Sequence, residues 1–243
     1  AKRLFNDPKD FEEMIYLSQL TQAKAVGIAV AAHRVKAPVC MGTIFWQLND
    51  CWPAPTWSSI DYYGHWKPLQ YQVKEDYRDI AVLEVINELN NEKYYLNSLC
   101  SEPKKVRVSM KAFKLNGELI QSEETNLEIL PMKSILLYDE LYKEEFAAEN
   151  FLVEFSIEVK GGDSFVRTFS HLPIKHQKAE RESFNVQVKM DSGGHSGTVL
   201  FESDEFLHHF CIYSGDWPIR FETNNIEIKP GRTQIRFESD HLI

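Results

Sequence analysis

The residues best suited to chemistry lie in one aromatic segment, residues 42–71. It holds four of the five tryptophans and three polar side chains beside them: Trp46, Trp52, Trp57, Trp66, Asn49, Asp50 and His65. Aromatic faces next to hydrogen-bonding groups suit sugars, because a pyranose ring offers C–H faces for stacking and hydroxyl groups for hydrogen bonds. The segment therefore predicts a carbohydrate-binding surface.

Tryptophans in such a segment can instead cap a barrel or fill a domain interface. We interpret Trp57 and Trp66 in that structural way. Trp46 lies at the tip of a predicted strand, and we expect it to contact a ligand, since barrel enzymes and open α/β sheets bind ligands at the carboxyl ends of their strands.

The elements around this segment predict the end of an α/β unit. Asp7-Pro8 is a helix-start signal, and apolar spacing continues the helix until shortly before Pro38. Residues 39–46 form an apolar run without alternation, which is typical of a strand covered on both faces. A second helix is expected from Pro68. Helix, buried strand, loop and helix close a (β/α) barrel or a doubly wound sheet.

The rest of the chain predicts antiparallel β-structure. Val106, Val108 and Met110 alternate with polar residues, and Asn116-Gly117 is a hairpin signal. A further hairpin is expected at 161–163, a polar linker at 175–183, and a second β region beyond it whose strands include 186–190 and 234–237.

Composition excludes several classes of protein. The 243 residues carry a net charge of −9, which disfavours a nucleic acid partner. No run approaches the roughly 18 apolar residues of a membrane helix. The four cysteines form no C-x-x-C pair and are expected to be buried free thiols.

The aromatic segment resembles the β-mannosidases of glycoside hydrolase family 2. The matching residues are the string Trp46-Gln47-Leu48-Asn49-Asp50, then Trp52, Ala54-Pro55, Trp57, Ser59 and Trp66-Lys67. The resemblance implies the terminal part of a (β/α)8 barrel over residues 1–82, an immunoglobulin-like β-sandwich over 83–177 and a small β-sandwich over 178–243. We thus expect a multidomain chain, α/β at its start and all-β afterwards.

The resemblance implies a retaining exo-hydrolase that removes terminal β-mannosyl residues and needs no cofactor or metal. Its two catalytic glutamates are expected upstream, in the rest of a parent chain, so we assign no catalytic residue here and expect this chain alone to be inactive. Trp46 is expected at the −1 subsite, with Asn49, Asp50 and Trp52 at or behind the pocket. Asp50 is expected to fix the loop through backbone N–H groups. The resemblance favours a bacterial periplasmic or extracellular location over a lysosomal one.

The alternative is a non-catalytic module that binds carbohydrate or protein. A self-sufficient module has no use for a strand buried on both faces, so the first 80 residues favour the enzyme. A purely structural repeat protein is disfavoured because no repeat is visible. His208-His209 is not expected to bind metal, since neighbouring strand residues point to opposite faces, and Trp217 is expected in a core rather than on a sugar platform.

Overall fold

A computed structural model describes residues 4–86, 92–139, 151–170, 184–204, 206–215, 217 and 219–240. The first of its units is helical. Helix α1, Phe11–Arg34, begins at the cap residue Asp10, whose carboxylate accepts the N–H of Glu13 at 2.8 Å. The prediction that Asp7 caps this helix is wrong, because helical backbone begins only at Phe11. Helix α2, Pro68–Asp76, begins at the predicted proline and packs along α1.

The segment between the helices differs from its prediction. No strand forms over residues 39–46, and Val39 and Ile44 are 92% and 99% exposed. A strand buried on both faces needs hydrogen-bonding strands beside it, and within the described residues no strand pairs with this segment. The structure alone therefore leaves the barrel assignment without confirmation.

One face of this segment is nevertheless covered. Phe45 packs against the residues of α1 and α2 that form a small core, and Thr43 contacts both His33 and the hydroxyl of Tyr77. The alternate side chains face away from the helices and are exposed: Ile44, Trp46 and Leu48. The segment thus has a helix-covered face and an open apolar face.

A β-sandwich follows. Strands β1 (Ile80–Ile86), β2 (Glu92–Ser98) and β5 (Ser134–Asp139) form one sheet in the order β1-β2-β5. Strands β3 (Lys104–Lys114), β4 (Leu119–Ile129), β6 (Phe151–Val159) and β7 (Ser164–Ser170) form the other in the order β4-β3-β6-β7. All pairs are antiparallel. The two sheets share one core, which includes Tyr94, Leu96 and Phe155.

The strand alternation and the hairpin turns predicted from the sequence are present in this sandwich. Val106, Val108 and Met110 are buried together, as their alternation predicts. The β3–β4 hairpin turns at Asn116-Gly117, where Gly117 has φ +85°, a conformation that favours glycine. The β6–β7 hairpin turns at the predicted residues 161–163.

A second β unit completes the described chain. Its strands are β8 (Phe184–Met190), β9 (Ser196–Ser203), β10 (Leu207–Phe210), β11 (Arg220–Phe221), β12 (Ile226–Ile228) and β13 (Gly231–Glu238). A four-stranded sheet runs β11-β13-β9-β8, and β10 pairs with β12. The predicted linker over 175–183 lies outside the described residues.

Two sequence expectations fail at particular side chains. None of the four cysteines is a buried thiol, since Cys51 and Cys211 are exposed and Cys40 and Cys100 are partly exposed. Trp217 is 49% exposed rather than in a core, because it lies between β10 and β11 and belongs to neither strand. In the described part of the chain, no helix combines the length and apolar character that crossing a membrane requires.

Candidate functional site

The aromatic segment folds as a loop held by its own backbone. Ile60 pairs with Asn49 on one side and with Trp66 on the other. The N–H of Ile60 donates to the Leu48 carbonyl at 2.8 Å, and the N–H of Lys67 donates to the Ser59 carbonyl at 2.9 Å. Three stretches of the loop are therefore fixed side by side although none is long enough to be a strand.

A buried ion pair lies beneath this backbone. The ammonium group of Lys67 is 3.0 Å from the Asp50 carboxylate and 2.7 Å from the Ser58 hydroxyl. The hydroxyl of Thr56 donates to the same carboxylate. Burial opposes ionisation of Asp50, but hydrogen bonds from Thr56, Lys67 and Ser58 outweigh it and hold its pKa below the ordinary value. Asp50 is thus a fixed anion inside the loop.

This arrangement places the four expected site residues in two groups. Trp46 and Trp52 are 73% and 66% exposed, and Asn49 is exposed as well, so these three can meet a ligand. Asp50 is buried behind them and contacts side chains rather than the backbone N–H groups expected from its position. The side-chain amide nitrogen of Asn49 donates a hydrogen bond to the Asp50 carbonyl at 3.3 Å.

The other two tryptophans of the segment differ from each other. Trp66 meets the ring of Tyr71 edge to face at 5.3 Å and packs on the core of the second β unit, which agrees with its expected interface role. Trp57 is 61% exposed, and its carbonyl accepts a hydrogen bond from Gln22 of α1. Trp57 therefore lies on the surface rather than in an interface of this chain.

The carboxylates of the loop have structural partners. Asp50 binds Lys67, and Asp61 accepts the N–H groups of Tyr63 and His65 at 2.9 and 2.8 Å. A retaining glycosidase needs a nucleophile and an acid whose carboxyl groups lie about 5–5.5 Å apart. Asp50 and Asp61 are both engaged in holding the loop together.

Sequence reasoning missed the role of Lys67. A signal for it was present, since Lys67 lies directly between Trp66 and Pro68-Leu69, an apolar neighbourhood. A lysine buried there requires an acidic partner, because an unpaired buried charge is costly. The preceding loop contains Asp50 as a candidate.

The histidine pair also departs from its expectation. His208 and His209 both face Glu227, with Nδ1 to carboxylate distances of 2.6 and 3.7 Å. His209 has a φ of +46°, which breaks the strand alternation and turns both rings to the same acid. Tyr16 of α1 donates to the His209 carbonyl at 2.7 Å. The cluster thus joins α1 to the second β unit, and no group of metal-ligating side chains occurs in the described residues.

Comparison with known proteins identifies homologues. β-Mannosidase A of Aspergillus clavatus is 30% identical over 131 residues, which are 52% of this chain and 14% of that protein. β-Mannosidase of Bos taurus is 29% identical over 136 residues, 53% of this chain and 16% of that protein. No protein-family model matches the chain. The chain thus has β-mannosidase homologues and spans less than a fifth of their length.

Solved structures agree over nearly the whole chain. The crystal structure of β-D-mannosidase from Dictyoglomus thermophilum matches 99% of this chain with a TM-score of 0.78 and 25% identity, using 29% of its own length. An exo-chitosanase from Amycolatopsis orientalis matches 97% of this chain with a TM-score of 0.71 and 13% identity, which shows a shared fold alone.

Proposed function

We propose that this chain is the carboxy-terminal part of a retaining exo-β-mannosidase, which removes terminal β-mannosyl residues from manno-oligosaccharides or glycans. The catalytic glutamates come from the preceding part of the parent protein. The chain contributes Trp46, Asn49 and Trp52 to the sugar pocket, while Asp50 holds the loop from behind. The β-mannosidase homologues and the match to a β-mannosidase structure support the proposal.

The observation that carries it is the two-faced segment before the loop. Thr43 and Phe45 face helices α1 and α2, and Ile44, Trp46 and Leu48 face open space. A strand of a (β/α)8 barrel also has two such faces: one packs against the outer helices, and the other packs against side chains inside the barrel. We infer that residues 39–46 become the last barrel strand once the earlier strands are present. We also infer that the expected units 83–177 and 178–243 are the accompanying sandwiches, the first immunoglobulin-like.

The pocket chemistry follows from that placement. Trp46 lies at the carboxyl end of the inferred strand, where barrel enzymes hold their substrates. Its indole face stacks on the sugar in the −1 subsite, and stacking that strengthens as the ring flattens stabilises the transition state. The proposed parent needs no metal or cofactor, because two carboxylates supply the nucleophile and the proton.

A hydrolysis assay tests the proposal. The protein encoded by the complete reading frame should release p-nitrophenol from p-nitrophenyl β-mannoside, and residues 1–243 alone should not. An inactive complete protein would favour the alternative, a non-catalytic carbohydrate- or protein-binding module. Activity in residues 1–243 alone would contradict the placement of the glutamates in the missing part.

A further inference from the structure

Ser59 is hydrogen-bonded to the backbone directly after Trp46. The N–H of Ser59 donates to the Gln47 carbonyl at 3.0 Å, and its hydroxyl donates to the Leu48 carbonyl at 2.9 Å. Gln47 and Leu48 are the two residues that follow Trp46 in the chain. A single residue of the loop therefore restrains both residues through which the chain leaves Trp46.

Ser59 is itself held in place through its carbonyl. The carbonyl accepts the N–H of Lys67 at 2.9 Å, and the side chain of Lys67 is paired with Asp50. Ser59 is fully buried, and its N–H, carbonyl and hydroxyl all have partners within the protein. A buried hydroxyl without a partner is costly, so the Ser59 hydroxyl depends on the Leu48 carbonyl. Ser59 thus connects the buried base of the loop with the backbone beside Trp46.

The neighbouring Ser58 is equally buried but has different partners. Its hydroxyl lies 2.7 Å from the Lys67 ammonium group and donates to the Ile60 carbonyl at 2.9 Å. Successive side chains of an extended segment point to opposite sides. The Ser58 hydroxyl therefore faces the buried ion pair, whereas the Ser59 hydroxyl faces the segment that carries Trp46. Of the two serines, Ser59 is the one placed to affect the geometry of the proposed site.

We propose that Ser59 is a positioning residue for the hydrolysis, which holds Trp46 in its stacking position on the sugar by fixing the backbone of residues 47 and 48. The identity of the reaction rests on the proposed function, while the hydrogen bonds of Ser59 do not. Placement matters because a shift of about 1 Å can cost roughly a hundredfold in rate. Ser59 does not touch the sugar, and its effect on the reaction passes through Trp46.

The kinetics of the complete parent protein test this role. Ser59→Ala removes the hydroxyl and keeps the N–H bond to Gln47, so Trp46 loses part of its restraint. We expect kcat/KM for an aryl β-mannoside to fall about fivefold, mainly through kcat, because the stacking strengthens in the transition state. Ser98→Ala is the matched control and should keep the wild-type kcat/KM. Ser98 is also fully buried, and its hydroxyl accepts the N–H of Cys100 at 3.2 Å at the end of β2.

A double-mutant cycle separates positioning from a general effect on the fold. In a Trp46→Ala protein there is no indole to position, so the addition of Ser59→Ala should change kcat/KM by less than about twofold. A serine that only stabilises the loop would cost the same factor in both backgrounds. Thermal unfolding verifies that each variant is folded. If Ser59→Ala does not fold, Ser59→Cys replaces it, since the thiol is a weaker hydrogen-bond donor than the hydroxyl.

Fluorine NMR of residues 1–243 labelled with fluorotryptophan tests the positioning of Trp46 without any measurement of activity. The signal that Trp46→Phe removes is the Trp46 resonance. Ser59→Ala should shift and broaden this resonance, because the indole then samples more than one position. The Trp217 resonance is the internal control and should stay unchanged, since Trp217 lies between β10 and β11.

Three outcomes would overturn the proposal. They are an unchanged kcat/KM in a folded Ser59→Ala parent, an equal loss with and without the Trp46 indole, and a Trp46 resonance that Ser59→Ala leaves in place. A parent protein that does not hydrolyse β-mannosides would remove the proposed function, and the fluorine spectrum then decides by itself. A Trp46 resonance that still moves in Ser59→Ala would retain the positioning role.

Discussion

The Lys67 ammonium group lies 3.0 Å from the Asp50 carboxylate, and their side chains are 8% and 2% exposed. This pair joins the start of the aromatic loop to its end, immediately before α2. Both charged groups are shielded from water. The cost of removing them from water is offset by their contact with each other and by hydrogen bonds with Thr56 and Ser58. The pair is therefore a determinant of loop conformation.

Lys67→Met should destabilise residues 1–243 by about 3–5 kcal/mol, because it leaves the Asp50 charge buried and unpaired. Denaturant unfolding followed by tryptophan fluorescence measures the change. The double variant Asp50→Leu/Lys67→Met should recover much of the loss, since it removes both charges. The matched control is Lys93→Met, whose partner Asp139 is 2.7 Å away at the surface, and it should cost less than about 1 kcal/mol. Equal costs for Lys67→Met and Lys93→Met would show that the loop pair has no special role.

We expect the histidine cluster to make the stability of the protein dependent on pH. Burial lowers the pKa of His209 below its ordinary 6.5, against the opposing charge of Glu227. Burial would raise the pKa of Glu227, but the close contact with His208 and the charges of both histidines hold it below its ordinary value. Cys211, Tyr16 and Lys24 are the other titratable groups around the cluster.

The difference in proton binding between the folded and unfolded chain sets the direction of this pH dependence. As the pH falls below 6.5, the unfolded chain protonates at His209 before the folded chain does, and below 4.5 the same holds for Glu227, so stability falls with acidification. We expect the free energy of unfolding to decline from pH 6.5 downward. His209→Gln should flatten the decline between pH 6.5 and pH 4.5. His195→Gln, at an exposed histidine, is the control and should keep the wild-type slope. An unchanged slope in His209→Gln would contradict the role of the cluster.

The open apolar face predicts self-association. Ile44, Trp46 and Leu48 are exposed together, and Val39 is almost fully exposed nearby. Residues 1–243 should therefore associate with increasing concentration in sedimentation velocity, and Ile44→Asp should shift them toward monomer by placing a charge in the apolar contact. Val166→Asp, at an exposed position of β7, is the control and should not change association. A monomeric wild-type chain at all concentrations would show that this face needs no cover.

The sequence predicts most elements whose hydrophobic contacts are local to the chain. Helix α1 forms where the apolar spacing predicts it, and α2 begins at Pro68 as expected. The two hairpins also form as the patterns indicate, at Asn116-Gly117 and at 161–163. The predicted strand over 39–46 does not form, because an apolar run of this kind indicates burial against neighbouring strands, and none of the described strands pairs with it. Trp46 lies on the open face for the same reason.

Within the site, the side chains whose roles depend on tertiary contacts could not be predicted. The exposure of Trp217 depends on the packing of the second β unit, and the orientation of His209 depends on a positive φ that its residue type does not favour. The apolar neighbours of Lys67 indicate that it needs an acidic partner, but the sequence does not specify that this partner is Asp50, 17 positions earlier.

The most direct test of the central claim is the kcat/KM of the complete parent protein for an aryl β-mannoside, with and without Trp46→Ala. We predict at least about a tenfold loss, since stacking that strengthens in the transition state disappears. Phe11→Ala, far from the loop in sequence and exposed on α1, should keep the wild-type value. An unchanged kcat/KM in a folded Trp46→Ala protein would contradict the claim that this chain completes the sugar pocket.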